Sequence, residues 1–272
     1  MTIQKALDIA IDKFREADII SPQLDAQLLL CHALNKSKEF IIANPDTLLV
    51  SSETQLFELY ISRRIDREPV CYITNSIEFY GNEFFVDNRV LSPRAETETI
   101  VANAIKYAPK NSQLIDIGTG SGAIAISIAT NRADLEITAT EISKEALDVA
   151  KINAKKFGVE DQIEFIESDI FSNIKKRFDT IVTNLPYVSS DLKNDMKPEV
   201  KKEPAIALYG GPGDGLDLYR KFYKQVPQHI ATRGKVYHES DPWQHDTLKS
   251  IAKQSDFELL LDDYFILGFR YI

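Results

Sequence analysis

The sequence predicts an α/β fold: a mainly parallel sheet with helices on both faces, preceded by a small all-helical domain and joined to it by a β-hairpin. Three observations carry this expectation. From residue 93 onward, short apolar strands alternate with helical stretches, the pattern of a parallel sheet covered on both sides. Before Gly81 there is no glycine, and apolar residues recur at helical spacing. Between these regions, aromatic runs flank Gly81-Asn82, which reads as a hairpin turn. The expected division is 1–69 helical, 70–92 hairpin linker and 93–272 sheet domain.

In the first segment, Ile3, Leu7, Ile11 and Phe14 mark one face of an opening helix. Ser21-Pro22 reads as an N-cap with proline at the first helical position, opening a helix through Leu24 to Leu34. Ser52 and Gln55 read as a capping box ahead of Leu56, Leu59 and Tyr60, and Pro69 follows that helix. Ordinary helix lengths give roughly four or five helices. In the third segment, strands are expected at 114–117, 136–140, 163–166, 180–183 and 235–238. A closing pair is expected over 265–272 with its partner near Leu259. Helices are expected at 97–107, 122–131, 144–157 and 217–226.

The 272 residues, with 44% hydrophobic and 27% charged residues, suit a soluble globular chain able to bury a sizeable core. Apolar runs such as 123–126 and 259–261 are too short to span a bilayer, so no membrane partner is expected. The N-terminus carries no signal-peptide apolar region, and Cys31 and Cys71 have no framework or metal-ligand spacing. Both are expected to be reduced core thiols of a cytoplasmic protein, and no metal site is expected. A net charge of −9 argues against broad nonspecific binding to nucleic acid.

The most specific local signal is Asn184-Leu185-Pro186-Tyr187, which follows the strand at 180–183. An asparagine oxygen and a neighbouring backbone carbonyl can accept both hydrogens of a planar NH2 group, while an aromatic ring shapes the pocket. Such a site suits alkylation of a weakly nucleophilic amide or arylamine nitrogen.

The second signal runs from Asp116 through Gly118, Thr119, Gly120, Ser121 and Gly122, after a strand and into a helix. Glycines there let backbone N–H groups approach a ligand. Gly118, Gly120 and Ala123 also satisfy the dinucleotide pattern, and Glu141 can accept both hydroxyls of a ribose, so NAD and S-adenosylmethionine fit equally on this ground. Three features favour the methyl donor. Asp116 can hold an ammonium group, directly or through water. Asp169 and Ile170, after Ser168, can frame an adenine. Asn184 and its neighbours sit at the sheet edge where open α/β folds bind ligands. No hydride-transfer machinery is evident.

Taken together, the chain resembles the HemK-type protein-glutamine methyltransferases that modify translation release factors. The segments 21–30, 67–72 and 91–98, the glycine loop, Glu203-Pro204, 214–217 and Gly234 through Glu239 to Gln244 follow in the family's order. The resemblance implies a Rossmann-like class I methyltransferase domain, with S-adenosylmethionine as donor and S-adenosylhomocysteine as product. It implies peptide-chain release factors as partners, methylated on the Gln of their Gly-Gly-Gln tip. By position, Gly118 to Gly122 would cradle the donor's methionine end, Glu141 its ribose, and Asp169 and Ile170 its adenine edge. Asn184 would border donor and acceptor, accepting the amide hydrogens together with the Leu185 carbonyl, while Pro186 and Tyr187 complete the pocket. An adenine amino group in nucleic acid, and a non-catalytic donor-binding protein on the same fold, are the alternatives.

Departures from the family pattern are confined. Leu185 stands where the family has proline, adding an N–H and a freer φ angle. Glu141 stands where aspartate is common. His238 is expected at the edge of the sheet rather than as an acid or base, and His32, His229 and His245 as structural or solvated. Arg94, after Pro93, is expected to help close the donor site. Trp243 and the aromatic cluster 79–85 are expected in packing, and Lys175-Lys176-Arg177 on solvated surface.

Overall fold

A computed structural model describes all 272 residues, and the backbone falls into two compact units. The first comprises Met1–Ser76 together with Lys197–Lys202; the second comprises Ile77–Met196 and Glu203–Ile272.

The first unit holds five helices: α1 (Ile3–Glu16), α2 (Pro22–Leu34), α3 (Lys38–Ala43), α4 (Ser51–Ile65) and α5 (Val70–Thr74). The start of the expected linker is thus helical. The buried stripe of α1 is Ile3, Ala6, Ala10 and Phe14, whereas Leu7 and Ile11 are only partly covered. Between Ile3 and Phe14, small alanines rather than Leu7 and Ile11 face the helical core most fully. Pro22 opens α2 as expected, but the Ser21 side chain makes no capping bond. The capping residue of α4 also differs: Glu53 turns back to accept from the Val50 amide at 2.9 Å, two residues earlier than the Ser52–Gln55 pair.

One charged cluster is enclosed here. Arg64 Nε donates to Asp25 Oδ2 at 2.8 Å, and its Nη2 donates to Glu199 at 3.0 Å, drawing residues 197–202 onto the helices. Neither cysteine is in a disulfide. Both are half-buried rather than core, and burial pushes the Cys31 thiol up.

The second unit opens with the hairpin β1 (Ile77–Phe79) and β2 (Asn82–Phe84). Its two-residue turn is Tyr80-Gly81, with φ of 50° and 71°, so the expected turn moves by one residue and Asn82 begins the return strand. Positive φ at both central positions is what a two-residue hairpin turn demands, and Glu98 secures the unusual tyrosine by accepting from its amide at 2.8 Å.

The main sheet follows: α6 (Glu98–Tyr107), β3 (Gln113–Ile117), α7 (Ala123–Asn131), β4 (Glu136–Glu141), α8 (Lys144–Phe157), β5 (Ile163–Glu167) and β6 (Phe178–Thr183). A short pair, β7 (Val188–Ser189) and β8 (Tyr209–Gly211), precedes α9 (Asp217–His229), β9 (Ile230–Glu239), α10 (His245–Gln254), β10 (Phe257–Asp263) and β11 (Ile266–Tyr271). The strand order is β10-β11-β9-β6-β3-β4-β5. β5, β4, β3, β6 and β9 run parallel, while β11 pairs antiparallel with both β9 and β10. The expected elements are all present, and α10 and the short β7–β8 pair are added to them.

Alternation along the strands feeds two cores. Leu114, Val182, Tyr237 and Ile266 pack with α6 and α7 on one face. Their neighbours Ile115, Ile181, Val236 and Leu267 pack with α9 and α10 on the other. The chain leaves β3 for β4 on one side and returns to β6 on the other. The loops after β3 and β6 therefore emerge side by side, at the switch point where such sheets form a crevice.

Candidate functional site

A cleft of roughly 1070 Å³, including its open mouth, lies within the second unit at the C-terminal ends of β3, β4, β5 and β6. Gly118, Thr119, Gly120, Ser121, Glu141, Asp169, Ile170, Asn184, Leu185 and Pro186 all line it. Asp116 and Gly122, which the sequence reading placed with them, are buried behind the wall, and the half-buried Tyr187 does not line it.

The glycine loop is fastened by its own backbone. The amides of Gly118 and Thr119 donate to the Thr140 carbonyl at 2.8 and 2.9 Å, tying the loop to the end of β4. Gly118, Gly120 and Gly122 have φ of 72°, 56° and 82°, a left-handed run that side chains resist. A Cβ on Gly120 would meet nothing within 4 Å, whereas one on Gly122 would stand 2.7 Å from the Ile126 side chain and 3.2 Å from Ala150. Gly120 thus leaves room for a ligand, and Gly122 lets α7 pack against α8.

Asp116 is fully buried beneath this loop. Its Oδ2 accepts from Thr119 Oγ1 at 2.6 Å and from the Ala125 amide at 3.2 Å, while Oδ1 has no partner. Burial is the main cause that pushes its carboxyl up to about 7. Glu141 is held differently: Oε2 accepts from the Gly120 amide at 3.0 Å, and Oε1 from Ile142 and Ser143 at 2.8 and 3.0 Å. Three amides fix the carboxylate at the cleft wall.

On the adenine-edge side, Asp169 is paired with Lys221 of α9. Ile170 has a φ of 55°, a conformation rare for a β-branched residue. Its carbonyl accepts from Ser168 Oγ at 3.1 Å. At the mouth, Arg94 lines the cleft and pairs with Glu203 at 2.6 Å. Burial raises the Glu203 carboxyl, and Arg94 opposes that rise.

The Asn184 side rests on partners distant in sequence. Asn184 Nδ2 donates to Thr97 Oγ1 at 3.2 Å; Thr97 Oγ1 donates to Glu239 Oε2 at 2.6 Å; and Tyr187 OH donates to Glu239 Oε1 at 3.0 Å. Asn184 lines the cleft, and with its Nδ2 bonded to Thr97 the oxygen is the end of the amide turned away from that bond. Glu239 is 2% exposed, and burial raises its carboxyl, with Thr97, Tyr187 and Asn184 opposing the rise.

The backbone beyond Asn184 is held as tightly. Gln244 Nε2 donates to the carbonyls of Tyr187 and Asp214 at 2.8 and 2.7 Å. A Cβ on Gly210 would lie 2.3 Å from the Pro186 carbonyl oxygen, and one on Gly215 would lie 2.3 Å from that of Tyr187. Leu185 is 5% exposed and packs beside Gly118, so burial restrains the residue that replaces proline.

Thr97 and Gln244 were absent from the sequence-derived site, as was Glu239. The resemblance includes all three within its segments but gives no sign of what each touches. His238 is corrected outright. It lies on β9, inside the sheet between β6 and β11, not at its edge. Burial lowers it to about 3, it bonds Tyr223 OH at 3.0 Å, and it stacks on Phe269. It is a neutral core histidine. His32 bonds Tyr60, His229 stacks on Phe171, and His245 meets Asp262, all structural contacts. Trp243, expected in packing, is 60% exposed, because the turn at Pro242–Gln244 buries Gln244 instead.

Known proteins agree with this architecture. The PrmC N-terminal domain model matches residues 5–74, and the methyltransferase small domain model matches 96–200. The release factor glutamine methyltransferase of Koribacter versatilis is 38% identical over 239 residues, covering 86% of this chain and 84% of its own length. That of Clostridium acetobutylicum is 32% identical, covering 94% and 92%. The bifunctional methyltransferase of Rickettsia conorii is 36% identical over 263 residues, covering 86% of this chain; the chain spans 50% of that relative's length. Among solved structures, a methyltransferase from Pyrococcus furiosus superposes with a TM-score of 0.54 at 16% identity, covering 71% of this chain and 91% of its own. No helix is long and apolar enough to cross a membrane.

Proposed function

This chain belongs to the release factor glutamine methyltransferase family, and on that premise we propose that it methylates the side-chain amide nitrogen of the Gln in the Gly-Gly-Gln tip of peptide-chain release factors, in the cytoplasm. The observation that carries the reading is the asparagine amide whose NH2 end is bonded to Thr97 and whose oxygen is left at the cleft.

S-adenosylmethionine fits the opposite wall. Gly120 leaves open space where a side chain would stand, and the orphaned Asp116 Oδ1 beneath the loop suits a cationic ligand. Gly118 to Ser121 would hold its methionine end, Glu141 its ribose hydroxyls, and Asp169 and Ile170 its adenine. When bound, it supplies an electrophilic methyl on a sulfonium and leaves as S-adenosylhomocysteine.

The chain's own residues address the weakness of the nucleophile. An amide nitrogen has a delocalised lone pair. Asn184 Oδ1 and the Leu185 carbonyl would each accept one N–H hydrogen, concentrating density on nitrogen and fixing its direction. The extra proton leaves to solvent after transfer, so no strong base is required. Burial of the Leu185 side chain limits the freedom that the missing proline leaves, which supports catalysis over donor binding alone.

The test is incubation with labelled S-adenosylmethionine and a release factor, native or with the tip Gln replaced by Ala. Label is expected on the native factor alone. Transfer that persists on the substituted factor, or that appears on adenine-containing nucleic acid instead, overturns the proposal.

A further inference from the structure

We propose that Glu239 is a positioning residue that sets which end of the Asn184 amide faces the substrate, acting through the hydroxyl of Thr97. The inference rests on the glutamine reading above and deepens it.

An asparagine amide can sit in either of two flipped orientations of nearly equal shape, one presenting oxygen and the other NH2. Only the first accepts a hydrogen from a substrate NH2; the second opposes donor to donor. Something must decide between them, and Thr97 alone cannot, because a hydroxyl both donates and accepts. Glu239 removes that ambiguity. Its two carboxylate oxygens accept from Tyr187 OH and from Thr97 Oγ1, and at 2.6 Å the carboxylate claims the Thr97 proton. The Thr97 oxygen is then left to accept, and at 3.2 Å it takes a hydrogen from Asn184 Nδ2. The Asn184 oxygen is thereby directed to the cleft.

The surroundings make this polarity hard to escape. Thr97 is 4% exposed and Glu239 2%, so water cannot substitute for either partner. Tyr187 OH donates to the other carboxylate oxygen at 3.0 Å, and Tyr219 OH to the Glu239 carbonyl at 2.5 Å, anchoring the residue at both ends. The tyrosine of the Asn184 motif thus serves the same relay. Glu239 does not line the cleft and acts on Asn184 from behind it.

Glu239→Gln keeps the shape and reverses the polarity, since an amide NH2 can donate to Thr97 and free its proton to point at Asn184. Against a Gly-Gly-Gln peptide or the release factor, kcat is expected to fall on the order of tenfold to a hundredfold, less than the roughly 10²–10³ for deleting a transition-state hydrogen-bond partner outright. Donor affinity, by calorimetry, is expected to stay within about twofold, a split that general unfolding would not give. Thr97→Ser should retain near-normal kcat, and Thr97→Val should lose as much as Glu239→Gln. In an Asn184→Ala background, Glu239→Gln should add little further loss.

The relay is overturned if folded Glu239→Gln keeps normal kcat, or if Thr97→Ser loses as much as Thr97→Val, which would assign the effect to packing of the methyl group. Should Glu239→Gln fail to fold, the two Thr97 variants decide alone. If the unsubstituted protein transfers no methyl to the Gln, the glutamine reading itself falls; if it does and the variants match it, only the relay falls.

Discussion

On the glycine-loop side of the cleft, the Glu141 carboxylate is held by backbone amides alone; on the Asn184 side, side chains from three separate segments hold one another. Glu141 takes its hydrogen bonds from residues 1, 2 and 21 positions away. Asn184, Thr97 and Glu239 are joined across 87 and 142 positions. The first construction tolerates changes in most side chains, because the amides remain. The second fails at any one member. This follows from what each side would bind: a donor recognised along its length by many weak contacts, against a single NH2 group recognised by two acceptors.

That contrast is tested first where it is sharpest. Asn184→Ala removes one of the two acceptors and is expected to lower kcat by roughly 10²–10³, about 3 kcal/mol of transition-state stabilisation. Donor affinity should change far less. Comparable losses in kcat and donor affinity would show that the two sides are not independent, and that Asn184 serves the donor as much as the acceptor.

The converse comes from Gly120→Ala. No neighbour lies within 4 Å of the added Cβ, so the fold should lose only the left-handed backbone cost, about 1–2 kcal/mol. The methyl group enters the space left for the donor, and donor affinity is expected to weaken about tenfold, roughly 1.4 kcal/mol. At saturating donor, kcat should be close to normal. A thermal shift and a donor titration separate the two effects; a collapse in kcat with affinity intact would reverse the assignment of the two walls.

The same contrast explains what could be read from the sequence. The donor wall was legible because its determinants are local: three glycines in five residues, a carboxylate ending the next strand, a strand before and a helix after. Asn184-Leu-Pro-Tyr was legible as a motif, but Tyr187 was assigned to the pocket when its hydroxyl points behind it to Glu239. No local pattern joins Thr97 to Glu239, since only the sheet brings them together. His238 was misplaced for a related reason. A strand's own residues do not say whether a later hairpin will cover it, and β11 does. The hairpin turn slipped by one because Gly81-Asn82 is a favoured pair on propensity, while Glu98, 18 residues away, stabilises Tyr80 in its place.

Asp116 offers the finest discrimination, since it serves the glycine-loop side yet is buried like the acceptor side. Its carboxyl lies at about 7 in the fold, against about 3.9 in an unfolded chain, so the folded state binds the extra proton between those values. The stability this contributes is fully present below pH 4 and is lost as pH rises through 7. Over the single interval from pH 5 to pH 6, the ligand-free protein should lose about 1 kcal/mol from this group. Asp116→Asn cannot ionise, yet its carbonyl oxygen can still accept from Thr119 and the Ala125 amide, so the decline should flatten while the loop persists. Denaturant midpoints of both proteins at pH 5 and pH 6 measure the difference. An unchanged slope in the variant would place the titration elsewhere and leave Asp116 ionised, held by its hydroxyl and amide donors as Glu141 is by its three amides.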